Sequence, residues 1–302
     1  MKSRTWFPPL TTTRMLIPTD GERRTDSVGR VIMLFLAVFG ISQLLQGLTT
    51  FVLGRLVGDD SVLDLSVRLF ATVWTVVACI AWCRLYERRG LETMGIVRRH
   101  ALPEYAVGLI AGAGLFAAAV GICVAMGSLT VTLPTETPQI GWILLFFVGF
   151  LVQGMSEELL CRSCLMVSLS RHVSCRAAVL INAALFAALH LFNPNLAILP
   201  LVNIFLFGVL TSVLTLRRGS IWMVGALHTA WNFAQGNLFG ISVSGLENGP
   251  SVFSSVPVES MPAALVNGGS FGLEGGIATT LVLLVGILVV CRIPTRKSEI
   301  AP

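Results

Sequence analysis

The chain has 302 residues, 54% of them hydrophobic and only 12% charged, with a mean hydropathy of +0.81 and a net charge of +5. A soluble domain usually carries about 25% charged residues, so the composition excludes an ordinary soluble enzyme and points to an all-α, polytopic membrane helix bundle. The positive balance is accounted for by where the basic residues fall around the apolar stretches, and it gives no reason to invoke a nucleic-acid partner.

Residues 1–30 are polar, proline-dotted and basic, and read as an arm on the cytoplasmic membrane surface. The apolar stretch that follows is too long for a secretory leader and shows no small-residue cleavage pattern, so it reads as an uncleaved first span. A hydrocarbon core of about 30 Å needs roughly 20 apolar residues in a helix. About eight stretches qualify within a membrane domain over 31–292: 31–53, 67–83, 106–127, 142–169, 177–192, 196–216, 221–239 and 277–291. Arg68 interrupts the second near its start, which makes that boundary the softest.

Eighteen of the 21 lysines and arginines fall in the N-terminal arm, in the links after the second, fourth and sixth spans, and at Arg292 and in the tail over 293–302. Asp59, Asp60, Asp64, Glu136, Glu247 and Glu259 fall on the other side. The positive-inside bias therefore predicts both termini in the cytoplasm. The 240–276 segment, rich in Gly, Ser and Pro, becomes an extracytoplasmic loop: a lid, a substrate-facing loop or a disordered stretch. Gly108 and Gly112 on the third span form a small-x-x-x-small pair that permits close helix approach. The seven cysteines lie in spans or at cytoplasmic ends and imply no disulfide framework; Cys161 and Cys164 make one C-x-x-C with no second pair to complete a metal site.

Two acidic residues stand apart. Glu157 and Glu158 sit side by side inside the fourth span, and a charge at mid-membrane costs roughly 2.5–3.5 kcal/mol on insertion scales, so such groups face the protein interior and act there. Arg162 follows Glu158 by four residues, the spacing of a helical ion pair, which leaves Glu157 without a charged partner in the sequence. His190 lies in the fifth span; His228 and Asn232, also four apart, share one face of the seventh. Each feature alone has a bland reading as packing or a local ion pair. Three spans contributing polar groups together favour a site between helices four, five and seven. The groups suit a general base acting on water, or a zinc held by Glu157, His190 and His228 with an open position.

The order Glu157-Glu158-Leu-Leu-Cys-Arg162, Phe186-Ala-Ala-Leu-His190, His228-Thr-Ala-Trp-Asn232 resembles the three motifs of the CPBP (Abi) family, the intramembrane endopeptidases related to CAAX prenyl proteases and bacteriocin-processing enzymes. The similarity covers a motif core over 142–239. Cys161 and Ser163 stand where the family commonly has an aromatic residue and a glycine, which bears on the shape of the substrate cavity. The resemblance implies cleavage of a membrane-associated protein or peptide at the bilayer. Glu157 would activate water, His190 would help position it, His228 and Asn232 would stabilise the oxyanion, and Glu158 with Arg162 would fix the geometry. Zinc is a possible cofactor under it.

Nineteen arginines against two lysines suit a GC-rich bacterium, hence an inner-membrane location and a leader peptide or membrane-anchored protein as substrate. Two other classes stay open at this stage. One is a silent scaffold or immunity-type protein, for which a lost motif residue would be the sign. The other is a proton-coupled transporter, against which the absence of an inverted repeat counts.

Overall fold

The computed structural model describes Met15, residues 21, 22 and 25–294, apart from 58, 59, 135, 247 and 248. Most of the N-terminal arm and of the C-terminal tail lies outside these residues, as do Asp59 and Glu247 of the acidic set.

The described chain is mostly helical, and each apolar stretch read from the sequence lies for the most part on a helix. The first is α1 (Val28–Val57). The second stretch begins earlier than its apolar pattern suggested, because Asp60 caps the backbone N–H groups of Val62 and Leu63 and starts α2 (Ser61–Ala71) ahead of Arg68. Arg68 there pairs with Asp64 at 2.8 Å. After a break at Thr72 the helix resumes as α3 (Val73–Ala81) and runs out through a π turn, Trp82–Tyr86. Then come α4 (Ala101–Ala125), strand β1 (Leu129–Thr132) and α5 (Ile140–Glu158). The last of these passes through a π-helical stretch, Leu159–Met166, into the short turn α6 (Val167–Leu169). Next are α7 (Cys175–Ala188), α8 (Ile198–Arg218) and α9 (Trp222–Phe233), the last continued by a π turn, Ala234–Leu238.

Among the described residues, five helical runs are long and apolar enough to cross a membrane: Val28–Leu56, Ser61–Tyr86, Ala101–Ala125, Ile140–Leu169 and Ile198–Arg218. Cys175–Ala188 and the final helix are apolar but shorter. The fifth stretch, expected to stay helical to residue 192, ends at Ala188, so His190 sits in the turn beyond α7 rather than within it.

Segment 240–276 is folded against the bundle. It contributes β2 (Ser254–Pro257), which pairs antiparallel with β1, then α10 (Ala263–Asn267), and leads into α11 (Ile277–Arg292). Glu274 anchors its end: Trp231 Nε1 donates to one carboxylate oxygen at 3.1 Å, and the Ser244 backbone N–H and hydroxyl donate to the other at 2.8 and 2.7 Å.

Glycines decide how near α9 approaches its neighbours. A Cβ on Gly108 would stand 2.2 Å from the Met223 carbonyl oxygen, and one on Gly112 would stand 2.2 Å from that of Leu227. The small-residue pair on α4 thus lets it lie directly on the backbone of α9. Gly154 does the same for α5, where a Cβ would meet Thr229 Oγ1 at 2.7 Å. Thr229 Oγ1 also donates to the Phe150 carbonyl at 3.0 Å, stitching α9 to α5.

The links reserve one surprise. Arg89, counted with the solvated basic residues of the second link, is fully buried. It pairs with buried Glu87 at 2.6 Å, and Glu87 also accepts from Thr25 and Ser168 at 2.9 Å. All seven cysteines are free thiols, five of them buried.

Candidate active site

A cavity of about 610 Å³ lies beside the close packing of α5 on α9 and is lined by four of the six motif residues. Glu157, His190, His228 and Asn232 line it, with Phe186, Phe207 and Trp231 among its apolar walls. The two adjacent glutamates have different surroundings. Glu158 is fully buried, while the Glu157 side chain keeps 30% of its exposure and opens to the cavity.

Glu158 makes two contacts with charge-capable partners. Its Oε1 accepts from His228 Nδ1 at 2.8 Å, and its Oε2 faces Arg162 Nε at 3.1 Å. The buried Arg162 guanidinium extends to the Thr211 hydroxyl on α8 and lies 4.6 Å from the centroid of the Phe186 ring, a cation–π placement. The ion pair read from the i,i+4 spacing is therefore present, and it also ties α5 to α7 and α8. The helix switches to its π-helical course just after Glu158, and the helix bearing His228 does so just after Phe233. Such wide turns often sit at functional sites.

The tautomers follow from the partners. A carboxylate only accepts, so the proton of His228 facing Glu158 is on Nδ1. Its Nε2 then looks toward Glu157 Oε2, 3.6 Å away. His190 Nδ1 lies 2.9 Å from the Phe186 carbonyl oxygen, which also only accepts, so Nδ1 carries the proton and Nε2 is left as a lone-pair donor. The Phe186 ring stands between the two histidines, edge-on at 5.0 Å to His190 and 6.1 Å to His228.

The arrangement also contains a residue that the motif reading passed over. Gln153 Nε2 donates to Glu157 Oε1 at 2.5 Å, and Asn232 Nδ2 donates to Gln153 Oε1 at 3.0 Å. Its position four residues before Glu157 put it on the same helix face, the signal by which the sequence could have shown it. Thr211 and Glu274 gave no such signal, since each reaches the site from a distant part of the chain.

The zinc set read from the sequence fits less well. Among the described residues, no group of three or more His, Cys, Asp or Glu is placed to hold a metal ion. His228 donates Nδ1–H to Glu158, and its Nε2 lies 3.6 Å from Glu157 Oε2, beyond direct hydrogen-bonding distance. Glu157, His190 and His228 thus share a cavity without forming a ligand cluster.

Residues 139–234, about a third of the chain, match the family model described as Rce1-like, type II CAAX prenyl endopeptidase. This is the family relationship that the three motifs suggested, and the matched block contains every motif residue from Glu157 to Asn232. No curated protein and no solved structure matches the chain.

Proposed function

We propose that this chain, carrying an Rce1-like endopeptidase block over residues 139–234, hydrolyses a peptide bond of a membrane-associated protein or peptide within the bilayer. The observation that carries the reading is the division of labour between adjacent carboxylates: Glu158 is locked behind His228 and Arg162, and Glu157 alone of the two opens to the cavity. The family match and the membrane-length helices support the reaction class and its setting.

In this reading Glu157 takes a proton from a water that attacks the scissile carbonyl. Its Oε2 faces His228 Nε2 at 3.6 Å, so the proton it takes from water lies beside that nitrogen. His190 Nε2 accepts from the same water across the cavity. The second N–H of the Asn232 amide, whose first is held by Gln153, donates to the oxyanion as it forms, and His228, once it has received the proton from Glu157, adds positive charge beside it. The proton then passes to the leaving amine. Glu158 and Arg162 hold the His228 ring and take no part in the transfer.

For the fold we propose the eight-span arrangement, with α7, α9 and α11 completing the crossings around the site and both termini on the basic, cytoplasmic face. A bacterial inner membrane is the proposed location, and a leader peptide or membrane-anchored protein the proposed substrate.

Host cells carrying the wild type or Glu157→Gln at equal expression supply the test, by comparison of peptide termini in membrane and secreted fractions. Termini that appear with the wild type alone are the expected result. Identical termini, with a deletion phenotype still rescued by Glu157→Gln, would replace the enzyme by a scaffold. Preferential cleavage by purified protein of a prenylated CAAX peptide over any leader peptide would overturn the substrate assignment and keep the enzyme.

A further inference from the structure

Gln153 lies outside the three motifs, yet its side chain hydrogen-bonds both Glu157 and Asn232. It sits one turn before Glu157 on α5, lines the cavity, and is partly buried between α5 and α9. We infer that Gln153 is a positioning residue, which fixes the general base and the oxyanion donor of the proposed hydrolysis in one hydrogen-bonded chain. The inference rests on the reading given above.

The direction of that chain is forced by chemistry. The Glu157 carboxylate accepts and cannot donate, so the amide nitrogen of Gln153 must face it. The Gln153 carbonyl oxygen is then turned to α9, where only a donor can meet it, and Asn232 must present its Nδ2. An isolated asparagine amide can flip; this one is set by a carboxylate two hydrogen bonds away.

Two consequences follow for the reaction. Glu157 Oε1 is engaged with the Gln153 N–H at 2.5 Å, so the oxygen that receives the proton of water is Oε2, the one facing His228. Asn232 keeps one N–H for the oxyanion and directs its own carbonyl oxygen away from Gln153. Loss of the Gln153 amide leaves Glu157 free to swing and Asn232 free to flip its carbonyl oxygen toward the developing negative charge. Both effects fall on the chemical step. Substrate binding, which depends on the cavity walls, is left largely alone.

Gln153→Met keeps the length of the side chain and removes the amide. The substrate sequence found by terminus mapping is synthesised as an internally quenched peptide, and kcat and KM are measured on purified protein in bilayer nanodiscs. We expect kcat to fall by about 10- to 100-fold with KM within about twofold, the signature of lost positioning. Gln153→Glu, nearly the same shape, turns an acceptor toward Glu157 and is expected to lose as much. A kcat within about twofold of wild type in either variant overturns the inference, as does a rise in KM at unchanged kcat, which would make Gln153 a wall of the cavity only. If Gln153→Met fails to fold, Gln153→Glu carries the test. The two claims are separable: absence of cleavage by the wild type sinks the hydrolase reading itself, full activity in Glu157→Gln removes Glu157 as the base, and an inactive Glu157→Gln beside a fully active Gln153→Met sinks the role of Gln153 alone.

Discussion

Glu158 Oε1 accepts from His228 Nδ1 at 2.8 Å, and this single contact decides which nitrogen of the histidine faces the cavity. The other carboxylate oxygen faces Arg162, so a buried cation and a ring tautomer depend on one fully buried anion. Glu158→Gln keeps an oxygen for His228 and turns an amide N–H₂ against the guanidinium. Removing one partner of a buried pair costs about 3–5 kcal/mol, and here it also frees the imidazole to rotate. We expect Glu158→Gln to lower the unfolding temperature in detergent and to abolish cleavage. Arg162→Met, which removes the cation and leaves the anion unpaired, should show the same double loss. Thermal unfolding and hydrolysis measured on the same sample check this; an inactive variant of wild-type stability would move Glu158 into the chemistry.

Glu157 should behave in the opposite way. Its side chain is partly open to the cavity, and its hydrogen bond is to Gln153, so little of the fold depends on its charge. Glu157→Gln is expected to leave the unfolding temperature within a degree or two of wild type and to reduce cleavage by about 10²–10⁴-fold, the range for losing a general base. Paired with Glu158→Gln, it separates two neighbouring glutamates into a chemical and an architectural one.

That separation was half legible in the sequence. The spacing of Glu158 and Arg162 indicated their pairing, and the missing partner of Glu157 marked it as the reactive one. The four-residue interval between His228 and Asn232 placed them on one helix face, and one cavity receives both. What periodicity could not show was the distance between helices. Residues 177–192 read as one helix; the helix ends at Ala188, and the turn after it brings His190 to the cavity. The π turns after Glu158 and Phe233 were equally hidden, because an inserted residue in an apolar run leaves the hydrophobic pattern unbroken. Charge counting also missed Arg89, since a basic residue in a link is normally solvated and this one has Glu87 to pair with in the interior.

The small-residue pair on α4 bears on function through packing. Gly112 sets the backbone of α4 against Leu227, the residue before His228, and any Cβ there must push α9 away. Overpacking of this kind costs about 1–3 kcal/mol. Gly112→Ala is expected to lower the unfolding temperature and to cut cleavage by at least tenfold, because a shift of α9 lengthens the His228 contact to Glu158. Gly114 lies on the same helix with open space where a Cβ would stand, so Gly114→Ala serves as the control and should leave both quantities unchanged. Equal behaviour of the two variants would disconnect the α4–α9 contact from the site.

The two nitrogens of His190 can be tested one at a time. Nδ1 is occupied by the Phe186 carbonyl at 2.9 Å, which fixes the ring and costs the reaction nothing. Only Nε2 is free to meet water in the cavity. An asparagine amide nitrogen can occupy the place of Nδ1, and a glutamine amide reaches the place of Nε2. His190→Asn should therefore retain the contact to Phe186 and the stability of the protein while losing activity by about 10²–10⁴-fold, as expected when a group acting on the attacking water is removed. His190→Gln should lose the contact to Phe186 and recover part of the rate through its amide oxygen. Cleavage of the quenched peptide by the two variants, set beside their unfolding temperatures, gives the ordering. If His190→Asn is the more active of the two, the nitrogen that matters is the one bound to Phe186, and His190 holds the turn after α7 in place without acting on water.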